Sequence, residues 1–437
     1  MRVAIVQLGC PKNTIDGEWM AGLLREAGHE LTSELRADAV IVNTCGFIDP
    51  AKEESIQCIL EAAEGKKLGD VGVLLVAGCM VQRYQAELKE SIPEIDGFIP
   101  PSAISETLRL LEHPDKDLPA DGPAQICPGD SPRILSTPPH FAYVKIAEGC
   151  DHACAFCSIP GFRGIHRSRP VRDIVEETER LAETGVREVT LVAQDTTDYG
   201  KDLLPGEGLA ALLAALAAVG GIRWIRFLYA YPNRLTDDVL DAMASLEKAV
   251  PYLDLPLQHA HGDILKAMGR GGNADAYLRL IEKARSRIPG LAVRSSFIVG
   301  FPGEKRSHFL TLKDFLAAAR FDHVGIFPYS REGGTPAYCL GDPVDSRTKR
   351  RRAGELMALQ QEISLDRNRR RVGEVAEVLV DGVHEETEHL LQGRLATQAY
   401  EIDGRVIIND GHAPPGSFVR VQITEAHPYD LVGGIVG

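Results

Sequence analysis

The stretch 148–161, EGCDHACAFCSIPG, carries Cys150, Cys154 and Cys157 in the spacing C-x3-C-x2-C. Three thiolates on one short loop can hold three irons of a cubane cluster and leave the fourth iron free of protein. Soft thiolates suit iron–sulfur clusters and zinc alike. A structural zinc site wants four ligands, and His152 sits inside the loop, where its reach is poor. Spacing alone leaves cluster and zinc open. A second set is scattered: Cys10, Cys45 and Cys79 end the segments QLGC, VNTC and VAGC, each just after a short apolar run. In an open parallel sheet the carboxyl ends of the strands share one edge, where ligands bind. Buried free cysteine is common, so one such residue would mean little. Three at matching strand ends point to a second three-thiolate site. The remaining cysteines read as ordinary: Cys58 on the apolar face of a helix, Cys127 in a linker and Cys339 in a glycine-rich loop.

The elements that must position these thiols follow from the pattern of the chain. Residues 1–112 alternate apolar strands (RVAIVQL, AVIVNT, GVLLVAG) with helical stretches, which implies a parallel sheet covered by helices. Residues 113–140 hold seven prolines and little apolar content and read as a linker. From 141 to 370 a second series of six candidate strands appears: FAYVKIA, EVTLVAQ, RWIRFLY, YLDLPL, AVRSSFIV and HVGIFPY. Helices are expected between most of them, for example over 171–184 and 274–287. Six βα units fit an open, partial barrel, and the C-x3-C-x2-C loop follows its first strand, at the face where such barrels do chemistry. A basic helix over 347–371 leads to residues 371–437. There AEVLVDGV, LLQGRLAT, RVIIND and FVRVQIT suggest a small antiparallel β-barrel. The expected fold class is α/β with that barrel appended.

No apolar run approaches the ~18 residues needed to span a bilayer, and MRVAIVQLGCPKN lacks a signal-peptide layout. A cytoplasmic protein with no membrane partner is expected, its cysteines thiols or metal ligands rather than disulfides. The net charge of −14 argues against a general nucleic-acid binder. Charge is uneven. Residues 373–437 hold eleven acids, three arginines and no lysine, whereas 347–371 hold nine basic residues and three acids.

The C-x3-C-x2-C loop, with the aromatic Phe156 before its last cysteine, resembles the radical S-adenosylmethionine (SAM) enzymes. That resemblance implies a 4Fe-4S cluster whose open iron binds SAM, and reductive cleavage to methionine and a 5′-deoxyadenosyl radical. Such a radical removes hydrogen from an unactivated carbon, so no general acid or base is assigned. With the second triad and a TRAM-like C-terminal barrel, the whole chain resembles the methylthiotransferases. This implies two 4Fe-4S clusters and two SAM molecules, one giving the methyl group and one the radical. The family also needs an electron donor and a sulfur source.

Small motifs resemble the protein-modifying branch, the RimO family: GCPKNTIDGE, NTCGFID, LVAQDTTDYG and FIVGFPGE. The tRNA branch usually has Gly-Cys-Gln-Met-Asn at the first of these. The implied reaction adds a methylthio group to the β-carbon of an aspartate in ribosomal small-subunit protein twelve. An acidic C-terminal unit suits that basic partner through complementary steering. Gln194 and Arg294, at or in candidate barrel strands, are expected SAM contacts beside Phe156. His259 and His261 read as loop residues rather than a metal pair. Gly17 departs from the family's usual Ser, and Lys305 and Arg306 from its usual Thr or acid. The alternatives are a tRNA-adenosine methylthiotransferase of the same superfamily and a non-catalytic iron–sulfur carrier.

Overall fold

The computed structural model describes residues 1–114 and 118–436. Residues 115–117 of the proline-rich stretch, and Gly437, lie outside the described residues. Apolar runs such as AVIV and VLLV are buried on both faces, as the strands of a covered parallel sheet must be. They belong to β1 (Arg2–Gln7), β2 (Glu30–Thr32), β3 (Ala37–Thr44), β4 (Val71–Gly78) and β5 (Gly97–Ile99). The strand order is β2-β1-β3-β4-β5, with every pairing parallel. Helices α1 (Pro11–Glu26), α2 (Asp49–Lys67), α3 (Cys79–Ser91) and α4 (Thr107–Glu112) cover it. Helix α1 is buried on nearly every side, including Asn13, Asp16 and Glu18, because it lies between this sheet and the barrel. Gly17 fits that crowding: a Cβ there would stand 1.9 Å from Gln7 Oε1.

The second series folds as β6 (Phe141–Lys145), the short β7 (Ala147–Glu148) and β8 (Arg167–Ser168), then β9 (Glu188–Val192), β10 (Trp224–Phe227), β11 (Tyr252–Gln258), β12 (Ala292–Val299) and β13 (His323–Pro328). Six of these form two parallel three-stranded sheets, β10-β9-β6 and β11-β12-β13. Helices fall where the apolar period places them, at Val171–Glu183 and Ala274–Arg287. Among the described residues no helix is long and apolar enough to cross a membrane. The helix Ser346–Arg369 is basic in sequence, yet several of its cations are spent internally. Lys349 pairs with Asp342, Arg352 with Glu304 and Arg367 with Asp322.

The C-terminal barrel is closed in the order β14-β15-β16-β18-β17. Its strands are β14 (Val375–His384), β15 (Thr387–Arg394), β16 (Val406–Asp410), β17 (Phe418–Ala426) and β18 (Leu431–Ile435). The pattern reading gave four strands; the fifth, LVGGI, was hidden because paired glycines read as a turn. Strand β18 inserts between β16 and β17 and removes the free edges. Its pairing with β16 is parallel, so the barrel is not wholly antiparallel.

The proline-rich stretch differs most from its reading as a linker. Its described part is a packed strap with Ala124 and Cys127 buried. Arg133 bridges Glu18 on α1 and Glu177 on α6 (Val171–Glu183, counting α5 as Pro160–Arg163). The Ile134 N–H donates to the Glu18 carbonyl. Ion pairs to distant elements add to this apolar packing, and pairings of that kind leave no trace in local hydropathy.

Candidate functional site

The C-x3-C-x2-C loop leaves the barrel through the antiparallel pair β7–β8, Ala147 against Ser168 and Glu148 against Arg167. Gly149 turns the chain into the loop with φ +79°, and a Cβ there would meet the Ile165 carbonyl at 1.9 Å. Backbone bonds then fix the loop: Ala155 N–H donates to Met268, and Ala337 N–H to Ala155, each at 2.8 Å. Burial, with the neighbouring sulfurs of Cys154 and Cys150, pushes the Cys157 thiol up to about 12. Burial likewise raises Cys150 to about 11. Such thiols stay protonated until a metal displaces the proton. Arg270 reaches the Cys154 sulfur at 3.7 Å and lies over the Tyr231 ring. Tyr231 in turn stacks on His152, whose Nε2 is 2.6 Å from Asp195.

The scattered cysteines converge. Cys10 is the N-cap of α1, Cys45 follows β3, and Cys79 opens α3. Gly9 packs on Cys45 so closely that a Cβ would lie 3.5 Å from its sulfur. Burial drives the Cys79 thiol up to about 12, with Cys10 and Cys45 adding to the rise and Arg163 opposing it. Burial also acts on Cys10, but Lys12, Arg163 and two backbone N–H groups outweigh it and pull the thiol below its ordinary range. Among the described residues the ligand groups drawn within 4.8 Å of one another are His261–Asp263–His308 and His152–Asp195–Asp198; neither cysteine triad is so compact. Sulfurs on a tetrahedral zinc at about 2.3 Å would sit about 3.8 Å apart. The wider triads suit a larger cubane core, and each can supply three thiolates to it.

The two triads are tied together by buried charges that the sequence reading missed. Arg163, six residues after Cys157, donates to Asp16 (2.9 Å), Glu148 (3.1 Å), Asn13 (2.8 Å) and the Cys79 sulfur (3.1 Å). Lys145 joins the same two carboxylates at 2.5 and 2.8 Å. Burial alone would raise Glu148, but Lys145 and Arg163 win and hold it at about 2. Asp16 and Asn13 lie in the quoted segment GCPKNTIDGE; acids and amides on the otherwise buried start of α1 were the available signal.

The expected SAM contacts are not all together. Phe156 packs on the apolar cluster that includes Ile264, Met268 and Phe301, bracing the cysteine loop. Gln194 donates to Glu148 at 2.5 Å, and its buried Oε1 has no partner; the same holds for Ser158 Oγ, next to Cys157. Buried polar atoms without partners are unusual, and these two fit a polar ligand beside the loop. Arg294 is elsewhere: it lies five residues before the end of β12, about 16 Å along a strand, paired with Asp254 and Asp403. His259 and His261 shape a turn, since His259 Nδ1 accepts the His261 N–H and His261 Nδ1 accepts the Asp263 N–H. His308 Nδ1 likewise accepts the Lys305 N–H. The protons of His261 and His308 therefore sit on Nε2, which disfavours a metal at His261–Asp263–His308.

Comparison with known proteins follows this division of the chain. The model of the radical SAM superfamily matches residues 144–316, that of Uncharacterized protein family UPF0004 residues 2–100, and that of the TRAM domain residues 372–436. A ribosomal protein uS12 methylthiotransferase RimO of Solibacter usitatus (strain Ellin6076) is 48% identical over 444 residues, covering 100% of this chain and 95% of the relative. The RimO of Desulforamulus reducens is 47% identical, covering 99% and 98%. Among solved structures, the radical SAM methyltransferase TsrM from Kitasatospora setae shares the fold, with TM-score 0.55 at 12% identity over 85% of this chain and 78% of that one.

Proposed function

This chain belongs to the RimO family of ribosomal protein uS12 methylthiotransferases, radical SAM transferases, and on that premise we propose that it adds a methylthio group to the β-carbon of an aspartate in ribosomal small-subunit protein twelve. The observation that carries this reading is the convergence of two separate thiol triads joined through Arg163. Residues 1–112 present one triad, 141–370 form the radical SAM unit and 371–437 the TRAM-like unit, with 113–140 as the strap. Cys150, Cys154 and Cys157 hold one 4Fe-4S cluster, and Cys10, Cys45 and Cys79 hold the other, each with one iron left open. The clusters and two SAM molecules supply a radical able to take hydrogen from an unactivated carbon, and the sulfur and methyl group that replace it.

The chain's own residues bind, orient and enclose. Gln194 Oε1 and Ser158 Oγ offer polar contacts beside the SAM loop, and Phe156 holds that loop against the barrel. Arg294 is paired with Asp254 on β11 and with Asp403 of the C-terminal unit. Arg163, Lys145, Asp16 and Glu148 fix the distance between the triads, so the radical source and the sulfur source meet at one place. An electron donor and a sulfur source are required partners, and the cytoplasm is the compartment of the substrate.

Mass spectrometry of protein twelve from cells lacking this chain tests the proposal. An adduct of about 46 Da, an added S–CH2 unit, disappears from one aspartate. An unchanged adduct, with methylthioadenosine lost from tRNA instead, would place the chain with the tRNA-acting relatives. The acidic C-terminal unit gives a second expectation. Glu385, Glu386 and Glu388 are exposed at the β14–β15 hairpin. Reversing all three to Lys is expected to slow association with the basic substrate about tenfold at low ionic strength. The difference shrinks as salt rises, because screening at 0.1 M acts over about 10 Å. Equal stopped-flow association rates across salt would dismiss the steering role.

A further inference from the structure

Lys12 is the one cation at the second triad with no acidic partner. The residue is only 7% exposed, and among the described residues no carboxylate lies within ion-pair distance of its ammonium. Its one partner is the face of Tyr229, 3.8 Å from Nζ to the ring centroid. Lysines this sheltered are rarely without a carboxylate partner. A ring face offsets only part of what a carboxylate would supply. By contrast Lys145, Arg163, Arg133 and Arg294 are each matched with carboxylates.

Its surroundings are also unusual. Tyr229 stands two residues past the end of β10, at the mouth of the barrel, with φ +63°. A bulky side chain in that region is strained, and such strain gathers at functional sites. The Tyr229 N–H is held by Asp254 Oδ2 at 2.9 Å, and its carbonyl by the Thr196 N–H. The strain is therefore fixed in place, setting the ring under Lys12. Lys12 is two residues after Cys10 and close enough to lower that thiol. The ammonium thus lies between the second triad and the barrel mouth, facing both.

We propose that Lys12 is the substrate-binding residue that receives the carboxylate of the aspartate being modified. This rests on the functional reading above. Reaction at an aspartate β-carbon puts the carboxylate one bond from the reacting atom, so whatever holds the carboxylate aims that carbon. A sheltered ammonium beside the second triad and at the barrel mouth matches a single carboxylate in charge and position. A carboxamide in the same place would lose the charge-assisted bond and leave the ammonium unmatched.

The test uses the anaerobically reconstituted full-length enzyme and two peptides spanning the modified site of protein twelve, one with the target Asp and one with Asn there. Fluorescence anisotropy measures binding; iron content and the EPR signals of the reduced clusters report whether each variant is loaded. Wild type is expected to bind the Asp peptide about 10- to 100-fold more tightly than the Asn peptide. Lys12→Met removes the preference by weakening only the Asp peptide, and Lys12→Arg restores part of it. If Lys12→Met fails to load iron, Lys12→Gln against Lys12→Arg makes the same comparison. An Asp preference that survives loss of the charge overturns the proposal. So does a shift in the second cluster's EPR signal with the preference intact, which would make Lys12 a counter-charge to that cluster. If wild type adds no methylthio group to protein twelve, the functional reading fails. If it does and the preference ignores Lys12, only this assignment fails.

Discussion

Cys157→Ala is expected to abolish reductive cleavage of SAM, whereas Cys45→Ala is expected to keep 5′-deoxyadenosine formation and lose methylthio transfer. Cys157 ends a loop that leaves the barrel beside Gln194, and its sulfur interacts with those of Cys154 and Cys150. Removing it deprives the barrel cluster of one of three thiolates and with it the hold on SAM. Cys45 belongs to the other sheet, where its neighbours are Cys10 and Cys79. Its loss leaves the barrel loop untouched, because that loop is fixed by Gly149, Met268 and Ala337 rather than by the N-terminal sheet. Each variant should carry about four irons per chain in place of about eight. An anaerobic single-turnover assay following 5′-deoxyadenosine and methylthiolated product together separates the roles. Full product from Cys45→Ala would mean that the scattered triad is structural.

Arg133→Ala is expected to cost about 3–5 kcal/mol of stability, as removal of one partner from a buried ion pair does. Arg133 is 5% exposed at its side chain and is shared by Glu18 at 1% and Glu177 at 7%. Removing it leaves one carboxylate on each side of the interface with a weakened or missing counter-charge. Arg133→Met together with Glu18→Gln should recover much of the loss, because a neutral group is then buried in place of an unmatched charge. Burial would raise Glu177, but Arg169 and Arg133 prevail and hold it below the usual carboxylate range. A depressed carboxyl contributes stability above its unfolded value of about 4.3, and that stability is lost as pH falls through the folded value. Wild type should therefore weaken steadily in acid, and Arg133→Ala should lose less over the same interval. Urea unfolding at pH 7 and in mild acid measures both; a loss under about 1 kcal/mol at pH 7 would show that the strap is held by other contacts.

The local pieces are legible in the sequence: six cysteines with their spacing, the apolar strands before them and the helices between. Those were readable because strand and helix periods are local, and because the ends of parallel strands share an edge whatever lies in between. The convergence of Cys10, Cys45 and Cys79 followed from that rule alone. Other features needed the tertiary structure. Arg163 meets Asp16 from 147 residues away, and Lys145 meets it from 129. No local period records such a pairing, because a buried charge is set by whichever element packs against it. For the same reason the ion pairs of Arg294 with Asp254 and Asp403 could not be read from its strand alone. The proline-rich strap reads as loose because part of its order comes from ion pairs supplied by α1 and α6. Only the packing of α1 against the barrel set Lys12 on Tyr229, with no carboxylate in ion-pair reach among the described residues.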